Sequence, residues 1–174
     1  MTSARPSAIL NNIKTQTMFI STLLPKESIA SIPGVNSKEE LLHALVDLLS
    51  NELTPDQKTR IRESVLLRES VMSTGVGKGI AIPHGKCSSV DRNFASFIRL
   101  DQPVEYQSID NVPVRYAFLL VGPMGADGEH IKLLSRISRL LNSRSFREKL
   151  DATTATDELC AMIQKEERAH FATS

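Results

Sequence analysis

The chain has no tryptophan, two tyrosines and only two cysteines, Cys87 and Cys160, with no CxxC pair. That excludes a disulfide framework and leaves no core for a zinc site, so two free thiols and no metal are expected. Long apolar runs are also missing: Tyr116–Val121 is far short of the roughly 20 residues that a membrane-spanning helix needs, and the first residues contain no apolar signal core. A cytoplasmic protein without membrane insertion is the expectation. Nor is there an excess of one charge. Lys and Arg number 21 against 20 Asp and Glu, a formal net charge of +1, and the charges are interspersed, so no nucleic-acid partner is expected. What is present suits one domain: 174 residues can bury about two thirds of their unfolded surface around a single core.

Residues 1–17 lack a sustained period and read as a flexible leader, with the folded domain assigned to 18–168. Ser37-x-x-Glu40 is a capping box, and Leu41, Leu42, Ala44, Leu45, Leu48 and Leu49 continue at helical spacing, with His43 beside that stripe. Thr54-Pro55-Asp56-Gln57 starts a second helix whose inward positions are read as Ile61, Val65 and Arg68; from spacing alone an arginine that snorkels to solvent is the favoured alternative to a functional one. Ile80–Ile82, Phe94–Leu100 and Val112–Val121 predict at least three strands. Asp127 opens another helix, on which His130 shares a stripe with Leu134, Ile137 and Leu141. In the first turn, His130 would stand where backbone N–H groups and the helix dipole favour an anion; a core histidine bonded to a carbonyl is the equal alternative. Ser145-x-x-Glu148 and 157–165 predict two short closing helices, with Leu159, Met162 and Ile163 inward and His170 in a disordered tail.

Chemistry concentrates in Ser73–Lys86, where a Gly-rich turn leads through Ile80-Ala81-Ile82 to Pro83 and His84. The expectation is a strand that ends at Pro83 and turns outward, placing the His84 imidazole at a strand edge; an ordinary loop histidine is the plain alternative. Nucleotide-binding templates fail here. A P-loop around Gly77-Lys78 needs glycine at Met72 and Ser or Thr at Gly79, and a dinucleotide loop needs glycine at Ile80. His84-x-x-Cys87 with a distant His130 is too loose a ligand set for a metal hydrolase. Histidine phosphorylation fits better: a neutral imidazole attacks phosphorus, while a cation, hydroxyls and amides neutralise the phosphoryl oxygens. Arg68, Ser73, Thr74 and the glycine-loop amides are groups of that kind.

Leu67-Arg68-Glu69 followed by Ser73-Thr74-Gly75-x-Gly77-x-Gly79-Ile80-Ala81-Ile82-Pro83-His84-Gly85-Lys86 resembles the type 2 IIA domains of the bacterial phosphoenolpyruvate:sugar phosphotransferase system, the mannitol/fructose group. The resemblance runs from about Phe19 to Lys165. Ser73-Thr74-Gly75, His84-Gly85-Lys86 and Ile109-Asp110-Asn111-x-Pro113-Val114 look most like its nitrogen-regulatory subgroup. It implies a single α/β domain with a central mixed β-sheet flanked by helices, which the alternation of capped helices and β-rich runs matches. It also implies phosphorylation of His84, of the tele-phosphohistidine type, with Arg68 and His130 in the same site at the family's spacings of sixteen before and forty-six after. Ser73, Thr74, Gly75 and Gly77 are expected to bind the phosphoryl group. An HPr-like phosphocarrier is the implied donor, and regulatory targets or a separate IIB protein are the implied acceptors. The chain is then a phosphocarrier without a cofactor rather than a free-standing turnover enzyme. With only a IIA-like domain visible, regulation is favoured over sugar transport. Met72 departs from the family, where a glycine often precedes Ser-Thr.

Overall fold

A computed structural model of the protein describes residues 18–172, so the expected leader at 1–17 lies outside the described residues. Six strands form one mixed sheet: β1 (Ile29–Ile32), β2 (Gly75–Gly77), β3 (Ile80–Ala81), β4 (His84–Lys86), β5 (Phe94–Val104) and β6 (Val114–Gly122). The order is β1-β5-β6-β3-β2, and β4 also pairs with β6. Five α-helices are described: α1 (Lys38–Asp47), α2 (Pro55–Val71), α3 (Asp127–Asn142), α4 (Arg144–Ala152) and α5 (Thr156–Phe171).

Alternation along β6 divides the core between two faces. Val114, Ala117, Leu119 and Val121 pack with residues of α1 and α2, while Tyr116, Phe118 and Leu120 pack with residues of α3, α4 and α5. With both faces covered, the central strands carry near-continuous apolar sequence rather than an apolar and polar alternation. The α/β architecture, a mixed sheet flanked by helices in one domain, is the one expected.

Local signals explain most boundaries. Ser37 accepts the Glu40 amide proton at the head of α1, and Thr54 and Gln57 close a reciprocal capping box on α2, with Pro55 in the first turn. Elsewhere the structure departs from the reading. The cap of α4 is Ser143, which accepts from the Phe146 amide, rather than Ser145. Helix α5 continues to Phe171 because Glu167 and Phe171 extend the buried stripe of Leu159 and Ile163. His170 is therefore helical, with its ring 5.5 Å from that of Phe171, and is not in a disordered tail.

The inward stripe of α2 is Ile61, Val65 and Glu69, at spacings of four; Arg68 sits beside it, half-buried. Two consequences reach the site. A carboxylate is buried beneath the loop that follows α2, and the guanidinium is left at the cleft edge.

Candidate functional site

The Gly-rich stretch is the β2–β3 hairpin. Gly77, Lys78 and Gly79 hold φ values of 93°, 57° and 75°, a left-handed run in which Lys78 is the strained member. Asp110 Oδ2 accepts the Lys78 amide at 2.8 Å and holds that turn.

After the hairpin, the strand is interrupted and resumed in register. Ile80 lies opposite Tyr116, Ala81 opposite Ala117 and His84 opposite Leu120, all at one constant offset. Pro83 contributes no N–H, but its carbonyl still accepts from Leu120 at 3.1 Å, so pairing with β6 carries across the proline. His84 thus opens β4, where the sequence predicted an outward turn. Period two then decides where it points. Ile80 and Ile82 pack with α3, and His84 shares their face; Gly85 faces α2, where a Cβ would meet Ser64 Oγ at 2.9 Å and Val65 Cγ2 at 3.3 Å.

His84 stands in the wall of a cleft of about 570 Å³, shared with Arg68, Met72, Ser73, Thr74 and Gly75 among others. Its Nδ1 lies 2.9 Å from the Ile82 carbonyl oxygen. A carbonyl only accepts, so the proton is on Nδ1 and the lone pair is on Nε2. Burial pushes the His84 pKa below the usual imidazole value; the Ile82 bond opposes that, Arg68 adds to it and Glu69 opposes it. A neutral ring with its tautomer set is a nucleophile at Nε2.

His130 projects from the first turn of α3 with its ring centroid 6.0 Å from that of His84. It is 4 % exposed, and neither ring nitrogen has a hydrogen-bond partner among the described residues. The alternative of a core histidine bonded to a carbonyl is therefore not what is found. Burial, then the neighbouring His84 and Lys86, push its pKa down to about 4, with Asp127 opposing. Lys86, on the same face of β4 as His84, pairs with Asp127 at the start of α3 and ties the helix end to the strand.

Arg68 Nη1 donates to the Met72 carbonyl at 2.9 Å, so the guanidinium is held at the cleft by the last turn of its own helix. Met72, Val76 and Ile109 rim the opening and are 68 %, 45 % and 84 % exposed.

Of the expected phosphoryl-binding residues, Ser73, Thr74 and Gly75 line the cleft and Gly77 is absent from its lining. Four of their donors are already engaged. The Thr74 amide donates to Glu69 Oε1 at 2.9 Å and its hydroxyl to Glu69 Oε2 at 2.5 Å. The Gly75 amide donates to Ser73 Oγ at 3.2 Å, and Ser73 Oγ donates to the Tyr106 carbonyl at 3.2 Å. Glu69 is paired with Lys38 Nζ at 2.7 Å, and that ammonium also sits 4.5 Å from the Tyr106 ring centroid. Sequence reasoning missed this supporting cluster. The spacing of Glu69 from Ile61 and Val65 was a usable signal, whereas nothing near Lys38 or Tyr106 announced their part.

Comparisons with known proteins agree with the fold. The family described as phosphoenolpyruvate-dependent sugar phosphotransferase system, EIIA 2, matches residues 22–166. A nitrogen regulatory protein of Bradyrhizobium diazoefficiens is 40 % identical over 146 residues, covering 84 % of this chain and 95 % of the relative. A fructose-specific EIIABC component of Bacillus subtilis is 32 % identical over 87 % of this chain, which spans 24 % of that longer protein. Among solved structures, the nitrogen regulatory protein IIA-Ntr of Neisseria meningitidis superposes with a TM-score of 0.76 at 33 % identity, over 83 % of this chain and 98 % of that one.

Proposed function

The chain belongs to the EIIA type 2 family of the phosphoenolpyruvate-dependent sugar phosphotransferase system, and from that premise we propose that His84 accepts a phosphoryl group at Nε2 and that the modified protein acts as a regulator. One observation carries the reading: the Ile82 carbonyl holds the His84 proton on Nδ1, leaving Nε2 nucleophilic in a cleft that also contains Arg68 and adjoins buried His130. The donor is a small HPr-like phosphocarrier. Its N–P bond breaks as the His84 Nε2–P bond forms, and its own imidazole leaves with the electron pair. Arg68 supplies the fixed positive charge for the equatorial oxygens, and His130 supplies a ring donor once it takes a proton. Ser73, Thr74 and Gly75 act mainly by shaping the wall, since those four donors are committed to Glu69, Ser73 and Tyr106. The exposed apolar rim of Met72, Val76 and Ile109 suits a protein partner better than a small polar one.

Adding about two negative charges at the centre of that rim changes what can dock there, which is the regulatory switch. The similarity to nitrogen regulatory proteins over nearly their whole length supports that output. A second reading, transfer onward to a separate IIB protein in sugar uptake, draws on the fructose-specific relative. Among the described residues no helix is long and apolar enough to cross a membrane.

The test is phosphotransfer from labelled phosphoenolpyruvate through purified upstream carriers. Wild-type protein is expected to take the label and His84→Ala to take none; label retained on His84→Ala protein overturns the assignment. Labelled protein is then mixed with purified IIB proteins. Retention of label keeps the regulatory reading, and its transfer to a IIB protein, with the label recovered on that protein, replaces it.

A further inference from the structure

Asn93, at the entry to β5, is 5 % exposed, and the site as described so far makes no use of it. Its Nδ2 donates to Glu129 Oε1 at 2.5 Å, one residue before His130 on α3. A carboxylate offers only acceptors, so this bond decides which end of the amide is which: Nδ2 faces Glu129 and Oδ1 faces elsewhere. That oxygen is buried and has no partner among the described residues, and neither has His130 Nδ1. The two atoms border the same gap. A Cβ built on Gly122 would meet Asn93 Oδ1 at 2.4 Å and His130 Nδ1 at 3.0 Å, so both crowd the space that only a glycine leaves open. Kept apart, a buried acceptor and a buried ring nitrogen would each give up water with nothing in return. Joined, an acceptor-only oxygen requires the ring nitrogen to be the donor.

We propose that Asn93 is a positioning residue for His130: its Oδ1 accepts the Nδ1 proton, which fixes the ring and leaves Nε2 unprotonated for the His84 side. This rests on the reading of His84 as the phosphoryl acceptor. A buried neutral imidazole has one proton, so a proton held on Nδ1 leaves the lone pair on Nε2. The groups facing His130 are His84 and Lys86 from β4 and Asp127 from its own turn; Asp127 is engaged by Lys86 and Glu129 by Asn93. When a dianionic phosphoryl group stands on His84, its charge raises the proton affinity of the neighbouring ring. Nε2 then takes a proton from solvent and donates it to a phosphoryl oxygen, while Nδ1–H stays on Asn93. The sequence Glu129 to Asn93 to His130 therefore makes the second histidine a donor only after phosphorylation.

The test is long-range proton–nitrogen NMR of the full chain, unphosphorylated and at neutral pH, together with the label-transfer assay. In wild type, the His130 signals should show Nδ1 protonated and Nε2 bare. Asn93→Ala should move the proton to Nε2, the ordinary preference of free imidazole. Asn93→Asp combined with Glu129→Gln exchanges amide and carboxylate, and should restore the Nδ1 proton while raising the His130 pKa above wild type, which a packing role alone would not do. An Nε2–H tautomer in wild type overturns the proposal, as does an unchanged tautomer in folded Asn93→Ala protein. Should that variant not fold, the wild-type spectrum decides alone. The tautomer is read without phosphate, so failure of wild-type His84 to take label would overturn the carrier reading and leave this result standing.

Discussion

His84 and His130 are the same side chain 6.0 Å apart, yet the molecule treats them in opposite ways. His84 opens a strand, is half-buried and has its Nδ1 committed to the Ile82 carbonyl two residues back. His130 opens a helix, is almost fully buried, and has its pKa held down first by burial and then by its neighbours His84 and Lys86. Local backbone geometry therefore sets one imidazole, and tertiary surroundings set the other. The contrast teaches a division of labour: a nucleophile needs a fixed tautomer and an open nitrogen, while a group that responds to charge must start uncharged.

The largest expected effect that sharpens this contrast lies under the His84 side. Glu69→Ala removes the buried partner of Lys38 and both acceptors of Thr74, and should cost about 3–5 kcal/mol, lowering Tm by roughly 10 °C in calorimetry. A loss below about 1 kcal/mol would mean that the Ser73–Gly75 wall does not depend on that cluster.

The His130 side should declare itself in pH dependence. Its folded pKa is about 4 against an ordinary 6.5, so the unfolded chain binds the extra proton first. Stability is full above about pH 6.5, falls as pH drops toward 4, and flattens below, losing roughly 3 kcal/mol from this group. Denaturant titration of His130→Leu should show that part of the slope removed. An unchanged slope would break the contrast, because burial would then not be holding His130 below the usual imidazole value.

Arg68→Ala should slow label acceptance by about 10–100-fold, the worth of one charge-assisted hydrogen bond, with little change in Tm. An equal loss in Arg68→Lys would show that the planar fork matters beyond its charge. Smallest is the pair Ser143→Ala and Ser145→Ala on α4: about 1 kcal/mol for the first, the true cap, and near zero for the second by thermal melts. The reverse order would restore the capping box read at Ser145.

Much of the fold was legible because its signals are short in range. Ser37, Thr54 and Pro55 mark helix starts through bonds three residues long, and the apolar runs of β5 and β6 show strands covered on both faces. The misread parts share a cause. Pro83 looked like the end of a strand because it lacks a donor, but the pairing that resumes at His84 belongs to β6, more than thirty residues away. Arg68 and Glu69 are adjacent on the helix, and although the spacing of four from Ile61 and Val65 favours Glu69, a buried carboxylate makes sense only with Lys38 and Thr74 brought against it by the fold. Helix α5 outran its predicted end because Phe171 finds Arg136 3.9 Å from its ring, on a different helix.

Sequence alone determined the make-up of the reactive segment: a Gly-rich turn, a short apolar strand and a histidine directly after a proline; that His84 continues the strand and shares the face of Ile80 and Ile82 was decided by its pairing with β6. The sequence also carried Arg68 and His130 as residues to be explained. Tertiary structure alone decided that His130 is neutral, that Glu69 is paired with Lys38 from another helix, and that Asn93 shares Gly122's open face with His130. The reason is physical. Backbone conformation and periodicity are set by neighbours in the chain, whereas desolvation and charge depend on whatever else the fold brings within a few ångströms.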